Sequence, residues 1–204
     1  MASIKELCER VNSDTGSTSM VVDSTQDNQM IIAICTPLMQ RVHTLHKHSG
    51  ELVFIDASGN MDRDDCKVFL ILTHSCVGGL PIGVLITSSE TESTIRAALE
   101  LYRSILPTGC FGGRGADAGP QVFMTDDSTA ERRAINAVFP QATLVLCVFH
   151  VLQAAWRWLW NGNNSIAKPD RPQYLHHIKR LMYATTESEM QQLYEDSMKS
   201  SMKE

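Results

Sequence analysis

A cysteine and a histidine three positions apart, Cys147 and His150, stand inside the apolar stretch LVLCVFHVLQAAWRWLW. This C-x-x-H spacing is typical of half a zinc site, because thiolate and imidazole are ligands that zinc prefers. A structural zinc site needs four ligands, and the sequence offers no second pair at a suitable spacing. A zinc module that also uses Cys110 or His74 therefore stays open only as a weaker hypothesis.

Two aspartates close apolar runs, since Asp56 ends LVFID and Asp126 ends VFMTD. Aspartates in such positions often form turns or cap the next helix, and the stretch TDDS fits that role. The same carboxylates are also ligands for a hard divalent cation. The neighbouring Asp127 is best explained as a helix start. A solvated turn explains three further aspartates, Asp62, Asp64 and Asp65.

Three histidines, His43, His46 and His48, fall near the end of a predicted helix that begins after Thr36 and ends at Gly50. Imidazole side chains can ligate a metal. Polar or cationic side chains also suit the carboxyl end of a helix, where the dipole is negative. The pattern favours this second explanation.

The apolar pattern predicts the elements that must position these residues. Three short apolar runs, separated by polar or Gly-rich turns, predict a three-stranded meander after Gly50. A capping box from Ser89 to Glu92 then predicts a helix that ends before Pro107, with an apolar face formed by Ile95, Ala98, Leu99, Tyr102 and Leu106. A fourth strand and a helix with a capping box from Ser128 to Glu131 follow. The run ATLVLCVFH then predicts a fifth strand that ends with Cys147 and His150, and a third helix and two short amphipathic helices come after it.

This order of elements indicates an α/β protein with the ribonuclease H-like fold: a five-stranded mixed sheet flanked by helices, with a short helical C-terminal extension. In that fold the fourth strand lies parallel to the first, so Asp56 and Asp126 would end neighbouring strands about 4.8 Å apart. Two such carboxylates repel each other unless a cation lies between them. Mg²⁺ or Mn²⁺ fits, and a pair of these ions supports phosphodiester cleavage and strand transfer.

The stretches ELVFIDASGNMDR, GLPIGVLITSSETESTI and QVFMTDDSTAERRAINAVFPQATLVLCVFH resemble the catalytic domain of Mutator-like element (MULE) transposases, in the animal branch that often carries a SWIM zinc module. The resemblance covers about residues 31–160. It implies a domain that cuts transposon ends and joins the freed 3′ hydroxyl to target DNA with Mg²⁺ or Mn²⁺. By this resemblance Asp56 and Asp126 are the first two acids of a D-D-E triad, and Cys147 and His150 are its C(2)H signature.

The third acid of that triad is not evident from the sequence. Glu187, Glu189 and Glu195 are the candidates, although Glu189 also fits a capping box that begins at Thr186. The Cys and His pattern of a SWIM module does not occur in these residues, so zinc is expected only if such a module lies elsewhere. The resemblance thus indicates a truncated or decayed transposase core. The alternative is a domesticated, non-catalytic nuclear domain that binds DNA or protein.

Length and composition set the remaining expectations. The 204 residues, 43% of them hydrophobic, suffice for one main domain. We expect a flexible segment over residues 1–29, the ribonuclease H-like domain over 30–161 and a helical extension over 162–204.

Without a signal peptide or an apolar run of roughly 20 residues, the chain is expected to be intracellular and, by the resemblance, nuclear. DNA is the expected partner, with a homo-oligomer possible. The net charge of −5 means that DNA contact needs a local patch or another module.

Overall fold

The computed structural model describes residues 3–24, 29–58 and 65–201, in two compact units that divide between Val145 and Leu146. The helices are α1 (Ile4–Thr15), α2 (Pro37–Leu45), α3 (Glu92–Ile105), α4 (Thr129–Val138), α5 (Val148–Trp160), α6 (Arg171–Met182) and α7 (Glu187–Ser201). The strands are β1 (Thr18–Ser24), β2 (Gln29–Cys35), β3 (Leu52–Ser58), β4 (Lys67–Ser75), β5 (Gly78–Thr87), β6 (Val122–Thr125) and β7 (Thr143–Leu146). Within the described ranges no helix is long and apolar enough to cross a membrane.

The strands form one mixed sheet in the order β1-β2-β5-β4-β3-β6-β7. Strands β3, β4 and β5 are the predicted antiparallel meander, and β6 pairs parallel with β3. The α/β class and the helical C-terminal extension are confirmed. The predicted count of five strands is wrong, because β2 pairs with β5 and β1 pairs with β2, which adds two strands at one edge.

The N-terminal residues contain a helix and a strand where the sequence indicated a flexible segment. Helix α1 begins with a complete capping box, in which Ser3 and Glu6 each accept a backbone N–H from the other. The Asn12 side chain donates to the Ser19 carbonyl at 2.8 Å and accepts from the Ser19 N–H at 2.7 Å, which joins α1 to β1. These contacts join residues seven positions apart, so the local hydrophobic periodicity of the sequence does not predict them.

The core lies on one face of the sheet, beneath α2, α3 and α4. Buried and less buried residues alternate along β3, as expected for a strand with one covered face. Val53 and Ile55 point into the core, whereas Asp56 is exposed. The predicted apolar face of α3 is confirmed for Ile95, Ala98, Leu99 and Tyr102, but Thr91 rather than Ser89 caps that helix.

The Gly-rich segment before β6, TGCFGGRGADAGP, packs into the core. The Phe111 side chain is fully buried, and its ring meets the Phe139 ring edge to face at 5.9 Å. Gly50 lies so close beneath this segment that a Cβ on Gly50 would collide with the Phe111 carbonyl oxygen. The Gln121 N–H donates to the Gly50 carbonyl at 2.9 Å. This segment therefore sets where β6, and hence Asp126, lies beside β3.

Candidate metal centre

Asp56 and Asp126 lie on neighbouring parallel strands, as the sequence predicted. The register pairs Val53 with Phe123 and Phe54 with Met124, so two further steps along each strand lead to Asp56 and Asp126. Asp56 lies two residues before the end of β3, and Asp126 directly follows β6. Successive residues of a strand point to opposite faces of the sheet. Because Asp56 and Asp126 come three positions after Val53 and Phe123, both aspartates lie on the face opposite those two residues.

The Asp126 side chain also organises the start of α4. Its Oδ1 accepts the Ser128 N–H at 2.8 Å, and Ser128 in turn caps the helix by accepting the Glu131 N–H at 3.3 Å. The capping role that the sequence allowed for this aspartate is therefore real. It does not compete with metal binding, because a carboxylate has two oxygens and about four acceptor positions.

Glu131 is a further acid at this site that the sequence interpretation did not include. Its side chain is 1% exposed, and its Oε1 has no hydrogen-bond partner within the described chain. Burial, and then the negative charges of Asp126, Asp56 and Glu90, raise the pKa of Glu131 to about 8. A carboxyl held in this way is typical of functional sites.

The sequence did carry a signal for Glu131, but the signal pointed to a different role. Glu131 stands three residues after Ser128, which is the capping-box spacing. In the structure only half of that box forms: Ser128 accepts from the Glu131 N–H, and the Glu131 carboxyl turns to the buried side of α4 beside Ala134 and Ile135. Glu131 stands at the helical spacing of the apolar residues Ala134 and Ile135. This spacing could have identified Glu131 as a buried acid.

The residues fit a hard divalent cation. Asp56, Asp126 and Glu131 offer only oxygen, which Mg²⁺ and Mn²⁺ prefer, and the buried Glu131 Oε1 finds no hydrogen-bond partner in the part of the chain that the structure describes. The three carboxylates are not among the described groups whose ligand atoms all lie within 4.8 Å of one another. Mg²⁺ retains several waters, however, and so does not require every protein oxygen in direct contact.

Cys147 and His150 lie at the start of α5 rather than at the end of a strand. Strand β7 stops at Leu146, Cys147 is the residue before the helix, and His150 falls in its first turn. The prediction that both end the fifth strand is therefore wrong. A spacing of three residues at a helix start places the two side chains on one face. The His150 ring meets the Phe149 ring edge to face at 5.4 Å. Their assignment as a family signature stays a prediction.

The three candidate third acids, Glu187, Glu189 and Glu195, are exposed on α7 in the C-terminal unit. The Glu189 Oε2 accepts from the Thr185 N–H and hydroxyl at 2.8 and 2.9 Å, and these bonds lower the pKa of Glu189. Its backbone N–H donates to Thr186 at 3.1 Å, as the predicted cap requires. Glu189 is thus used in capping, and Glu195 accepts from the Gln191 amide at 3.0 Å.

The remaining histidines and Cys110 separate into different roles. His43 is a core residue whose Nε2 lies 3.0 Å from the Ile82 carbonyl, so the helix-end explanation does not describe it. Burial raises the pKa of the Cys110 thiol to about 11, which disfavours the thiolate that zinc needs. His48 and His74 lie together with Glu51, and among the described residues no cysteine belongs to this group.

The mixed sheet and its helices are those of an α/β domain of the ribonuclease H-like class. A family model of the zinc finger SWIM domain-containing protein 1/3, RNaseH-like domain, matches residues 6–145. The chain therefore belongs to this family, and the expected association with SWIM proteins is confirmed. The comparison with curated proteins gives no match.

Proposed function

We propose that this domain binds Mg²⁺ or Mn²⁺ at Asp56, Asp126 and Glu131 and processes phosphodiester bonds of DNA in the manner of a transposase. The observation that carries the proposal is the convergence of Asp56 and Asp126 on adjoining parallel strands with a buried glutamate in their field. Asp56 is exposed and Asp126 half-buried, so a phosphate can reach the site. Because the proposed substrate is DNA, we also propose that the protein acts in the nucleus.

Each residue has a distinct part in this proposal. Asp56 and Asp126 hold the cation, which when bound supplies the charge that activates a hydroxyl or water and stabilises the leaving oxygen. Glu131 holds a proton on its carboxyl while the site is empty of positive charge, because burial and Asp126 both disfavour its ionised form. Since the chain carries a net charge of −5, the cation is also the local attraction for a phosphate.

The direct test measures cation binding and DNA nicking in the same variants. We expect Asp126→Asn to abolish Mn²⁺ binding, because the amide keeps the acceptor for the Ser128 N–H and removes only the charge. Asp56→Asn and Glu131→Gln are expected to weaken Mn²⁺ binding at least about tenfold. The readouts are calorimetric titration with Mn²⁺ and nicking of a labelled DNA duplex.

Exposed acids beside and outside the site supply the matched controls. Asp127→Asn changes the next residue, whose carboxylate is 77% exposed and lies 3.9 Å from Arg132. Glu195→Gln changes a candidate on α7 by the same chemistry. Both are expected to bind Mn²⁺ like the wild type. Equal Mn²⁺ binding by wild type and Asp126→Asn would remove the basis of the proposal. Loss of Mn²⁺ binding in Glu195→Gln would show that the third acid of the site lies on α7 and is not Glu131.

A second candidate function, a non-catalytic DNA- or protein-binding domain, is favoured by one observation. The site carboxylates do not form a group with all ligand oxygens within 4.8 Å of one another among the described residues. Cation binding without nicking of any duplex, together with retention of labelled DNA by the metal-free protein, would support this candidate. Nicking that is lost in Asp56→Asn would exclude it.

A further inference from the structure

A second cluster of possible metal ligands lies at the opposite end of the sheet from Asp56. His48, Glu51 and His74 each bring one ligand atom to within 4.8 Å of the other two. Glu51 precedes β3, and five residue steps separate it from Asp56, or about 16 Å of extended chain. The cluster is therefore separate from the carboxylate site.

Hydrogen bonds from side chains to backbone carbonyls fix the two segments that carry these ligands. The Thr73 hydroxyl, fully buried, donates to the carbonyls of His48 and Leu52 at 3.0 Å each, which ties β4 to the short 3-10 turn before β3. His46 Nε2 donates to the His74 carbonyl at 2.8 Å. The pairing of Val53 with Thr73 sets His74 beside the start of β3. The cluster is thus held by the fold and not by chance contact of long side chains.

The side chains of the cluster lie close together, with the planes of the two imidazole rings tilted by 39°. The His48 and His74 ring centroids lie 4.7 Å apart, and the His48 Nδ1 lies 2.6 Å from the Glu51 Oε2. The His74 Nδ1 is buried and has no hydrogen-bond partner among the described residues. A buried imidazole nitrogen without a partner is costly unless something binds it.

We propose that His48, Glu51 and His74 bind a zinc ion. Two imidazoles and one carboxylate are a ligand set that zinc uses when three protein groups hold it and a fourth position is left for water or another ligand. Zinc prefers nitrogen where Mg²⁺ prefers oxygen, so this site and the carboxylate site select different cations. His46 orients β4 through its bond to the His74 carbonyl and is a positioning residue, not a ligand.

The test is a calorimetric Zn²⁺ titration of the full chain after removal of metal by a chelator. We expect one zinc per chain, with affinity reduced at least about a hundredfold in His48→Ala and in His74→Ala, because even residues that only orient a ligand are worth about 10–100-fold. His176→Ala, on the exposed side of α6, is the matched control and should bind like the wild type. Asp127→Asn, which lies outside both proposed ligand sets, should also leave zinc binding unchanged.

Two further measurements separate this site from other sources of zinc. Co²⁺ in place of zinc should show no thiolate charge-transfer absorption, since the site contains no cysteine. Saturating zinc should raise the midpoint of thermal unfolding of the wild type but not of His48→Ala, whose exposed position makes the substitution compatible with folding. A thiolate band, unchanged affinity in His48→Ala, or no zinc binding by the wild type would each overturn the proposal.

Discussion

Glu131, which is 1% exposed, lies in the electrostatic field of Asp126, and burial together with that negative charge raises the pKa of Glu131 to about 8. The proton that Glu131 retains in the folded protein is lost in the unfolded chain, where its carboxyl has an ordinary pKa near 4.5. The unfolded chain thus binds fewer protons between these values, so this group makes stability fall as pH rises from about 4.5 to about 8.

The first prediction follows for Glu131→Gln, which keeps the shape and removes the ionisation. We expect the metal-free variant to exceed the wild type in free energy of unfolding by roughly 3 kcal/mol at pH 7 and by little at pH 4.5. Urea denaturation of both proteins at several pH values measures this difference. A difference that does not change between pH 4.5 and 8 would show that Glu131 ionises normally.

The second prediction concerns His43, whose burial lowers its pKa to about 4. Its Nδ1 accepts the Phe111 N–H at 3.3 Å, so the neutral ring carries its proton on Nε2, beside the Ile82 carbonyl. The unfolded chain takes up a proton near pH 6.5 and the folded chain does not, so stability falls as pH decreases from about 6.5 to about 4.

We expect His43 to account for a loss of roughly 3 kcal/mol over that range. NMR titration of the imidazole should show His43 neutral at pH 5.5, and urea denaturation of wild type and His43→Asn should isolate its share of the pH dependence. A ring that titrates near pH 6.5 in the folded protein would contradict the prediction.

The third prediction uses the close packing of β5 against α3. A Cβ on Gly83 would overlap the ring of Tyr102, whose hydroxyl donates to the Ile82 carbonyl at 2.9 Å and lies 2.9 Å from His43 Nε2. We expect Gly83→Ala to lower the free energy of unfolding by roughly 2–3 kcal/mol. Gly79→Ala is the control, because its Cβ would make only an ordinary 3.6 Å contact with Leu72. Thermal unfolding of the two variants distinguishes them, and equal midpoints would refute the packing argument.

The fourth prediction concerns the C-terminal unit. Arg171 is 9% exposed, donates from Nε and Nη2 to the Ile166 carbonyl at 3.1 and 3.0 Å, and lies 5.3 Å from the centre of the Trp160 ring. Lysine cannot reproduce the two bonds that converge on one carbonyl oxygen or the planar guanidinium over the Trp160 ring, so Arg171→Lys should cost about 1–2 kcal/mol. Tryptophan fluorescence during urea unfolding reports the change, with the exposed Arg157→Lys as control. Identical midpoints for both variants would count against this role.

Much of the fold was predictable because the meander and its helices have strong local periods. The three apolar runs became β3, β4 and β5, and the apolar face of α3 was assigned from Ile95 to Tyr102. Element boundaries were less predictable. The apolar run through Leu146 and Val148 continues across a strand and a helix, so hydrophobicity alone does not mark the change at Cys147.

The α/β class and the two aspartates of β3 and β6 follow from the amino-acid order alone, because alternation and turn residues are local properties. Which further groups join these aspartates depends on how the helices and strands pack. The negative charges of Asp126 and Asp56 act on the Glu131 carboxyl because α4 packs its buried face against the core. His48 and His74 meet because β3 and β4 pair in register. His48 and His74 are 26 positions apart in the sequence and become neighbours through strand pairing. A local spacing pattern cannot predict such a contact.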